Sequence, residues 1–144
     1  MQVNIKKLTD DAVIPQYAMD GDAGLDLTAV SKTIDKETDT IKYGFGIALQ
    51  IPNNYVGLIF PRSSIYKTGT FLSNAVGVID SGYRGEISVV FKNSTSESQY
   101  NIGDRVAQII IIPIPSISFI PVRKLTKTDR GDKGYGSTKG FHNG

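Results

Sequence analysis

The sequence predicts an all-β domain, a sandwich or a barrel, and three observations carry that prediction. Short β-branched runs recur at residues 3–8, 25–30, 43–51, 55–60, 87–91, 106–112 and 117–122, with turn signals between them. Prolines at 15, 52, 61, 113, 115 and 121, with 15 glycines spread through the chain, break up any long helix. No 3.6-residue periodicity persists.

The elements follow in order. One short helix is expected at residues 63–68, where Ser63 and Ser64 supply hydroxyl N-caps and Gly69 a stop. Residues 77–91 read as a hairpin: GVI and ISVVF are strand-like, and Ser81-Gly82 and Gly85 force a turn between them. Residues 106–112 are apolar on both faces, so this strand is either central in a sandwich or buried against another subunit. After Val122 the apolar pattern fades. Residues 1–122 are therefore expected to form the β domain and 123–144 a glycine-rich, basic, mobile arm.

Composition narrows the class. A chain of 144 residues suits one domain, since about 150 residues bury roughly 70% of their unfolded surface. With 21% charged residues, 40% hydrophobic residues and a net charge of +2, the chain is an ordinary globular protein, and stable nucleic-acid binding is not expected. The pI near 8.8 owes much to the last stretch, where Arg123, Lys124, Lys127, Arg130, Lys133 and Lys139 face only Asp129 and Asp132. That excess suits a small anion as well as a polymer. The absence of cysteine excludes disulfides and cysteine-based metal or nucleophile sites, and the single histidine, His142, sits in the polar tail. The N-terminus MQVNIKKLTDD lacks the apolar core of a signal peptide, and no stretch approaches the ~20 apolar residues of a membrane span. A cytoplasmic protein without membrane binding is expected.

Five stretches carry chemistry. In GVIDSGYRGEI (77–87), Asp80 and Tyr83 project from the expected hairpin tip, and the glycines let another molecule approach bare backbone. An ordinary turn, with Asp80 capping its own backbone, explains the same residues. PRSS (61–64) puts Arg62 and two serines at a helix start, where free N–H groups favour an anion; a plain cap is the alternative. In GDRVAQ (103–108), Gln108 is a polar group at the edge of an apolar strand and needs partners if buried. RGDKGYGST (130–138) combines Arg130, glycines, Ser137 and Thr138 as a flexible phosphate cradle, with Tyr135 placed to stack on a base. DAGLDLTA (22–29) puts Asp26 inside a strand, where an unpaired carboxylate is costly and Arg62 is a plausible partner.

In order and spacing this set resembles the trimeric dUTPases, the dUTP pyrophosphatases, which carry five such motifs; the resemblance spans residues 22–138. It implies a jelly-roll-type β-barrel in which three subunits build three active sites at their interfaces and the C-terminal arm closes each one. Asp80 would activate a water for attack on the α-phosphorus of dUTP, releasing dUMP and pyrophosphate. Such an enzyme limits uracil incorporation into DNA and supplies dUMP. Tyr83 would pack on the deoxyribose and exclude a 2′-hydroxyl. The backbone of Gly77, Val78 and Ile79, with the Asn74 amide, would read uracil against cytosine, a mismatch worth about 10⁴-fold or more. Ser63, Ser64 and Gln108 would bind the phosphate chain. Arg130, Gly136, Ser137 and Thr138 would grip its far end, with Tyr135 stacked on the uracil. Mg²⁺ would enter with the triphosphate, so no protein metal ligands are expected. Asp26 would act structurally or through water, paired near Arg62.

The chain departs from the family's usual pattern at Ser64 and Lys133, each commonly glycine, at Tyr135, commonly phenylalanine, and at Lys139, where Ser-Thr-Gly is usual. Tyrosine keeps a stacking face; the two lysines put the arm's contacts in question. The dCTP deaminases also show an Arg-Ser-Ser stretch, but their catalytic glutamate falls at Val90, which cannot shuttle protons. A non-catalytic nucleotide-binding or protein-interaction module of the same fold is the other alternative, which the intact Asp80 disfavours.

Overall fold

The computed structural model describes residues 1–134. Ten strands and one short helix make up the fold: β1 (Asn4–Lys7), β2 (Leu25–Thr28), β3 (Ser31–Asp35), β4 (Thr40–Gly44), β5 (Ile47–Gln50), β6 (Tyr55–Pro61), a 3₁₀ helix (Ser63–Lys67), β7 (Phe71–Leu72), β8 (Gly77–Ile79), β9 (Ser88–Lys92) and β10 (Arg105–Pro113). They pair into sheets ordered β1-β5, β2-β10-β6-β8 and β3-β4-β9-β7, with antiparallel neighbours throughout. The fold is all-β and of jelly-roll type, as expected, although the ladders form separate sheets and do not close into one barrel.

The doubly apolar strand is β10, central between β2 and β6. Its Val106, Ala107 and Ile109 join the core, whose largest enclosed side chains are Tyr43, Phe45 and Phe91. Tyr43, Phe91 and Tyr100 meet edge to face at 5.6–6.4 Å, a geometry that aromatic quadrupoles favour. The Tyr43 hydroxyl donates to the Tyr100 carbonyl at 3.0 Å.

Four sequence expectations are corrected. Residues 43–51 are two strands: Gly46, at φ +61°, turns a corner where a Cβ would lie 2.9 Å from Val30 and 3.1 Å from Ala12. Residues 77–91 are not a hairpin. β8 pairs with β6, whereas β9 pairs with β4 and β7, so residues 80–87 cross from one sheet to the other. Ile87 fixes the far end by exchanging backbone hydrogen bonds with Ile47 and Phe45. The helix is capped by Arg62 in extended conformation with no side-chain bond; Ser63 and Ser64 lie inside it, while Gly69, at φ +63°, does stop it. Finally, residues 117–122 form no strand. Their β-branched residues have no ladder partner among the described residues, and Phe119 is 93% exposed.

Two strands went unpredicted. β3 is mostly polar and gains its place from the hairpin with β4, and β7 has only two residues. Tyr135 to Gly144, including Gly136, Ser137, Thr138, Lys139 and His142, lie outside the described residues.

Burial, with smaller contributions from the Asp104 carboxylate and Tyr100, pushes the Tyr43 phenol from its ordinary 10.0 up to about 12. The folded chain therefore keeps a proton that the unfolded chain loses above pH 10. This contribution to stability is whole below pH 10 and is lost as pH rises towards 12. Urea unfolding across this window should show stability falling with pH, and Tyr43→Phe should flatten that slope while costing about 1 kcal/mol at neutral pH.

Candidate active site

Register builds the first half of the site. In the β2–β10 ladder Gln108 lies opposite Asp26, and in the β10–β6 ladder it lies opposite Phe60. Asp26 therefore sits beside the end of β6, where Arg62 leaves the strand. Arg62 Nε is 2.7 Å from Asp26 Oδ1, the pairing expected from sequence. A second arginine was not foreseen: Arg105 Nη1 lies 3.0 Å from Asp26 Oδ2. The Asp26 side chain is only 12% exposed, and two guanidinium groups offset its desolvation.

These groups border a recess of about 350 Å³ lined by Asp22, Gly24, Asp26, Arg62, Ser63 and Gln108, among others. Gln108 Nε2 donates to the Pro61 carbonyl at 3.1 Å, which satisfies one amide proton and tethers the side chain to the strand that carries Arg62. Arg62 spends Nε on Asp26, so its two terminal nitrogens remain available to an anion. Ser63 is exposed at the helix start. Ser64 is turned away, its hydroxyl 3.0 Å from the Tyr100 phenol.

The second half lies on the crossover after β8. A backbone bond from Tyr83 N to the Asp80 carbonyl, 3.1 Å, closes the turn. Arg84 Nη1 ties the turn further to the Ser81 and Tyr83 carbonyls at 2.7 and 2.8 Å. Among the described residues nothing donates to the Asp80 carboxylate, which is exposed at the lip of a recess of about 160 Å³ lined by Val78, Ile79, Asp80, Tyr83, Glu86 and Ser88. Tyr83 covers this recess with its hydroxyl fixed on the Glu86 carbonyl at 3.1 Å. Its ring fills the space that a Cβ on Gly85 would need. An adjoining recess of about 280 Å³ holds Asn74 and Gly77 together with Val78 and Ile79.

The fold thus forms one recess that carries Arg62 and, apart from it, a carboxylate beside an aromatic ring with no internal donor among the described residues. The model of the dUTPase family matches residues 10–139. The chain belongs to the dUTPase family. A deoxyuridine 5′-triphosphate nucleotidohydrolase of Hydrogenobaculum sp. (strain Y04AAS1) is 38% identical over 141 residues, covering 96% of this chain and 98% of the relative. One of the same name from Tropheryma whipplei (strain Twist) is 40% identical over 139 residues, covering 94% and 95%. Among solved structures, the dUTPase of Staphylococcus bacteriophage 80alpha with dUPNHPP superposes at a TM-score of 0.81 with 25% identity, covering 94% of this chain and 97% of that one.

In this dUTPase-family chain the fold brings Asp26, Arg62, Ser63 and Gln108 to one recess, and Asn74, Gly77, Val78, Ile79, Asp80 and Tyr83 to the other two. The recess with Arg62 shares no lining residue with the other pair. Arg130 borders none of them; its Nε donates to the Lys133 carbonyl at 3.3 Å. Sequence reasoning missed Arg105, because residues 105 and 108 point to opposite faces of a regular strand. A bulge between Arg105 and Ala107 supplies the extra residue that brings them to one face. It also missed Gly24, where a Cβ would collide with Gln108 Oε1 and lie 3.1 Å from Gln108 Cβ and Cδ.

Gly24→Ala should therefore displace the Gln108 amide from Pro61. The expected result is a loss of about tenfold or more in kcat/KM with a nearly unchanged urea midpoint, since the added methyl displaces a positioned side chain and leaves the core intact. Activity equal to wild type would show that the Gln108 position is not needed.

Proposed function

We propose that this chain hydrolyses dUTP to dUMP and pyrophosphate, with Asp80 as the base. The observation that carries the reading is family membership across residues 10–139 together with an Asp80 carboxylate that has no internal donor among the described residues. In the proposed reaction a water oxygen bonds to the α-phosphorus, the bridging oxygen leaves with pyrophosphate, and the water's proton passes to Asp80. Tyr83 bars a 2′-hydroxyl, and the backbone of Gly77, Val78 and Ile79 with Asn74 reads uracil. Arg62, Ser63 and Gln108 act on the phosphate chain, while Ser64 lies inside the turn that follows Arg62; Asp26 holds Arg62. Arg130, Tyr135, Gly136, Ser137 and Thr138, on the proposed arm 123–144, complete the grip.

Among the described residues no group of three or more histidines and carboxylates converges to hold a metal ion, and Asp26 is already taken by two arginines. The donor set therefore suits Mg²⁺ carried in on the triphosphate oxygens. Bound there, the cation would neutralise phosphate charge, while Arg62 orients the chain.

A homotrimer with shared sites is part of the proposal. Ile112 on β10 and Ile114, Ile117, Phe119, Ile120, Val122 and Leu125 beyond it are exposed apolar side chains, a surface better suited to a partner subunit than to water. Sharing would also bring the two separate halves of the site together. Among the described residues no helix is long and apolar enough to cross a membrane.

The deciding assay measures pyrophosphate and ammonia from dUTP, dCTP, dTTP and UTP with magnesium. Pyrophosphate from dUTP alone, reduced about 10²-fold or more by Asp80→Asn, is expected. Ammonia from dCTP would replace the hydrolase with a deaminase, and tight dUTP binding without turnover would leave a binding module. Activity should also fall on dilution in step with loss of the trimer by sedimentation; fully active monomers would remove the shared site.

A further inference from the structure

Ser64 stands where a direct phosphate contact is expected from the resemblance, yet its hydroxyl is 3.0 Å from the Tyr100 phenol and its side chain does not line the phosphate-side recess. Tyr100 is 8% exposed and is held from several directions. Its ring meets Tyr43 and Phe91 edge to face. Its carbonyl accepts from the Tyr43 hydroxyl at 3.0 Å and from Lys32 Nζ at 2.8 Å. The phenol is thus fixed by the core of another sheet, and Ser64 Oγ is its one hydrogen-bond partner among the described residues.

The same loop grips the helix beyond Ser64. Ser98 Oγ donates to the Lys67 carbonyl at 2.8 Å, Ser96 Oγ to the Thr68 carbonyl at 2.6 Å, and Asn93 Nδ2 to the Gly69 carbonyl at 2.6 Å. Residues 93–100 therefore splint the whole turn that follows Arg62, and Tyr100 is the contact nearest the recess. Three of the four contacts hold carbonyls at the far end of the helix. Of these four, the Tyr100 contact is the one at the start of the helix, beside Arg62, which Asp26 holds, and Ser63.

We infer that Tyr100 is a positioning residue of the phosphate-binding turn and acts through Ser64, whose side chain serves as its clasp. Either hydroxyl can donate to the other, so removing either one breaks the contact. The clasp sets the backbone of the turn from which the Ser63 hydroxyl faces the recess and Arg62 reaches its Asp26 partner. Without it the turn keeps its other anchors and folds, but its first residues lose their fixed position.

This inference rests on the dUTP-hydrolase reading, and its test separates the two. kcat and KM for dUTP with magnesium, and inhibition by dUMP, are measured for wild type, Tyr100→Phe, Ser64→Ala and the double variant. Urea unfolding of each confirms that it is folded. Each single variant should lose about tenfold in kcat/KM, a misplacement effect, and the double variant should lose no more than either. Inhibition by dUMP, which lacks the outer phosphates, should stay at the wild-type value. Multiplied losses in the double variant would mean that Ser64 meets the phosphate by itself and would overturn the clasp. So would a Tyr100→Phe enzyme with wild-type kcat/KM, or a parallel loss of dUMP inhibition. A wild type that releases no pyrophosphate from dUTP would reject the hydrolase reading and, with it, the clasp's role.

Discussion

The register of β10 is the constraint on which the rest of this structure depends. As the central strand between β2 and β6, it decides at once which residues fill the core and which face the phosphate-side recess. With Gln108 opposite Asp26, Ala107 and Ile109 point inward and Gln108 points to the recess. A slip of one residue would exchange these faces, burying an amide without its partners and presenting an isoleucine to the anion. Core packing therefore enforces the geometry of the site, because the hydrophobic cost of a slip falls on Val106, Ala107 and Ile109 together.

The bulge in β10 adds what a regular strand could not. It lets Val106 and Ala107 both enter the core and swings Arg105 to the side of Gln108, so that Asp26 is held from two directions. One carboxylate between two arginines is a rigid arrangement. Each oxygen is committed, and Arg62 is oriented through Nε while its remaining donors stay open. A lone Arg62 on the surface would spread over many rotamers and lose that freedom on each binding event.

What was legible in the sequence followed from local rules. Asp26 inside an apolar strand demanded a cation, and Arg62 is that cation; Gln108 at the edge of an apolar run demanded a partner, and Pro61 supplies its carbonyl. The all-β class followed from spacing and punctuation. What failed depended on contacts distant in sequence. Residues 77–91 carry every local mark of a hairpin, but Ile87 is claimed by Phe45 and Ile47, and that pairing draws the chain into the other sheet. Tyr100 reads as one more aromatic in a polar loop, and only the packed core shows it against Ser64. Residues 117–122 have the composition of a strand without a ladder to join among the described residues.

Charge explains why the recess cannot be the whole site. Asp22 and Asp26 line it against Arg62 alone, with Arg105 reaching Asp26 from outside, so the described recess has no surplus of positive charge. A triphosphate carries several negative charges, and a neutral recess would bind it weakly against the hydration it must give up. The balance has to come with the ligand, as a cation on its oxygens, or from the surplus of Lys and Arg over Asp that begins at Arg123. A neutral resting site has a physical advantage. It leaves Arg62 paired and ordered without attracting stray phosphate, and under the proposed reading it would make tight binding conditional on the complete substrate with its cation, because only that combination supplies the missing charge.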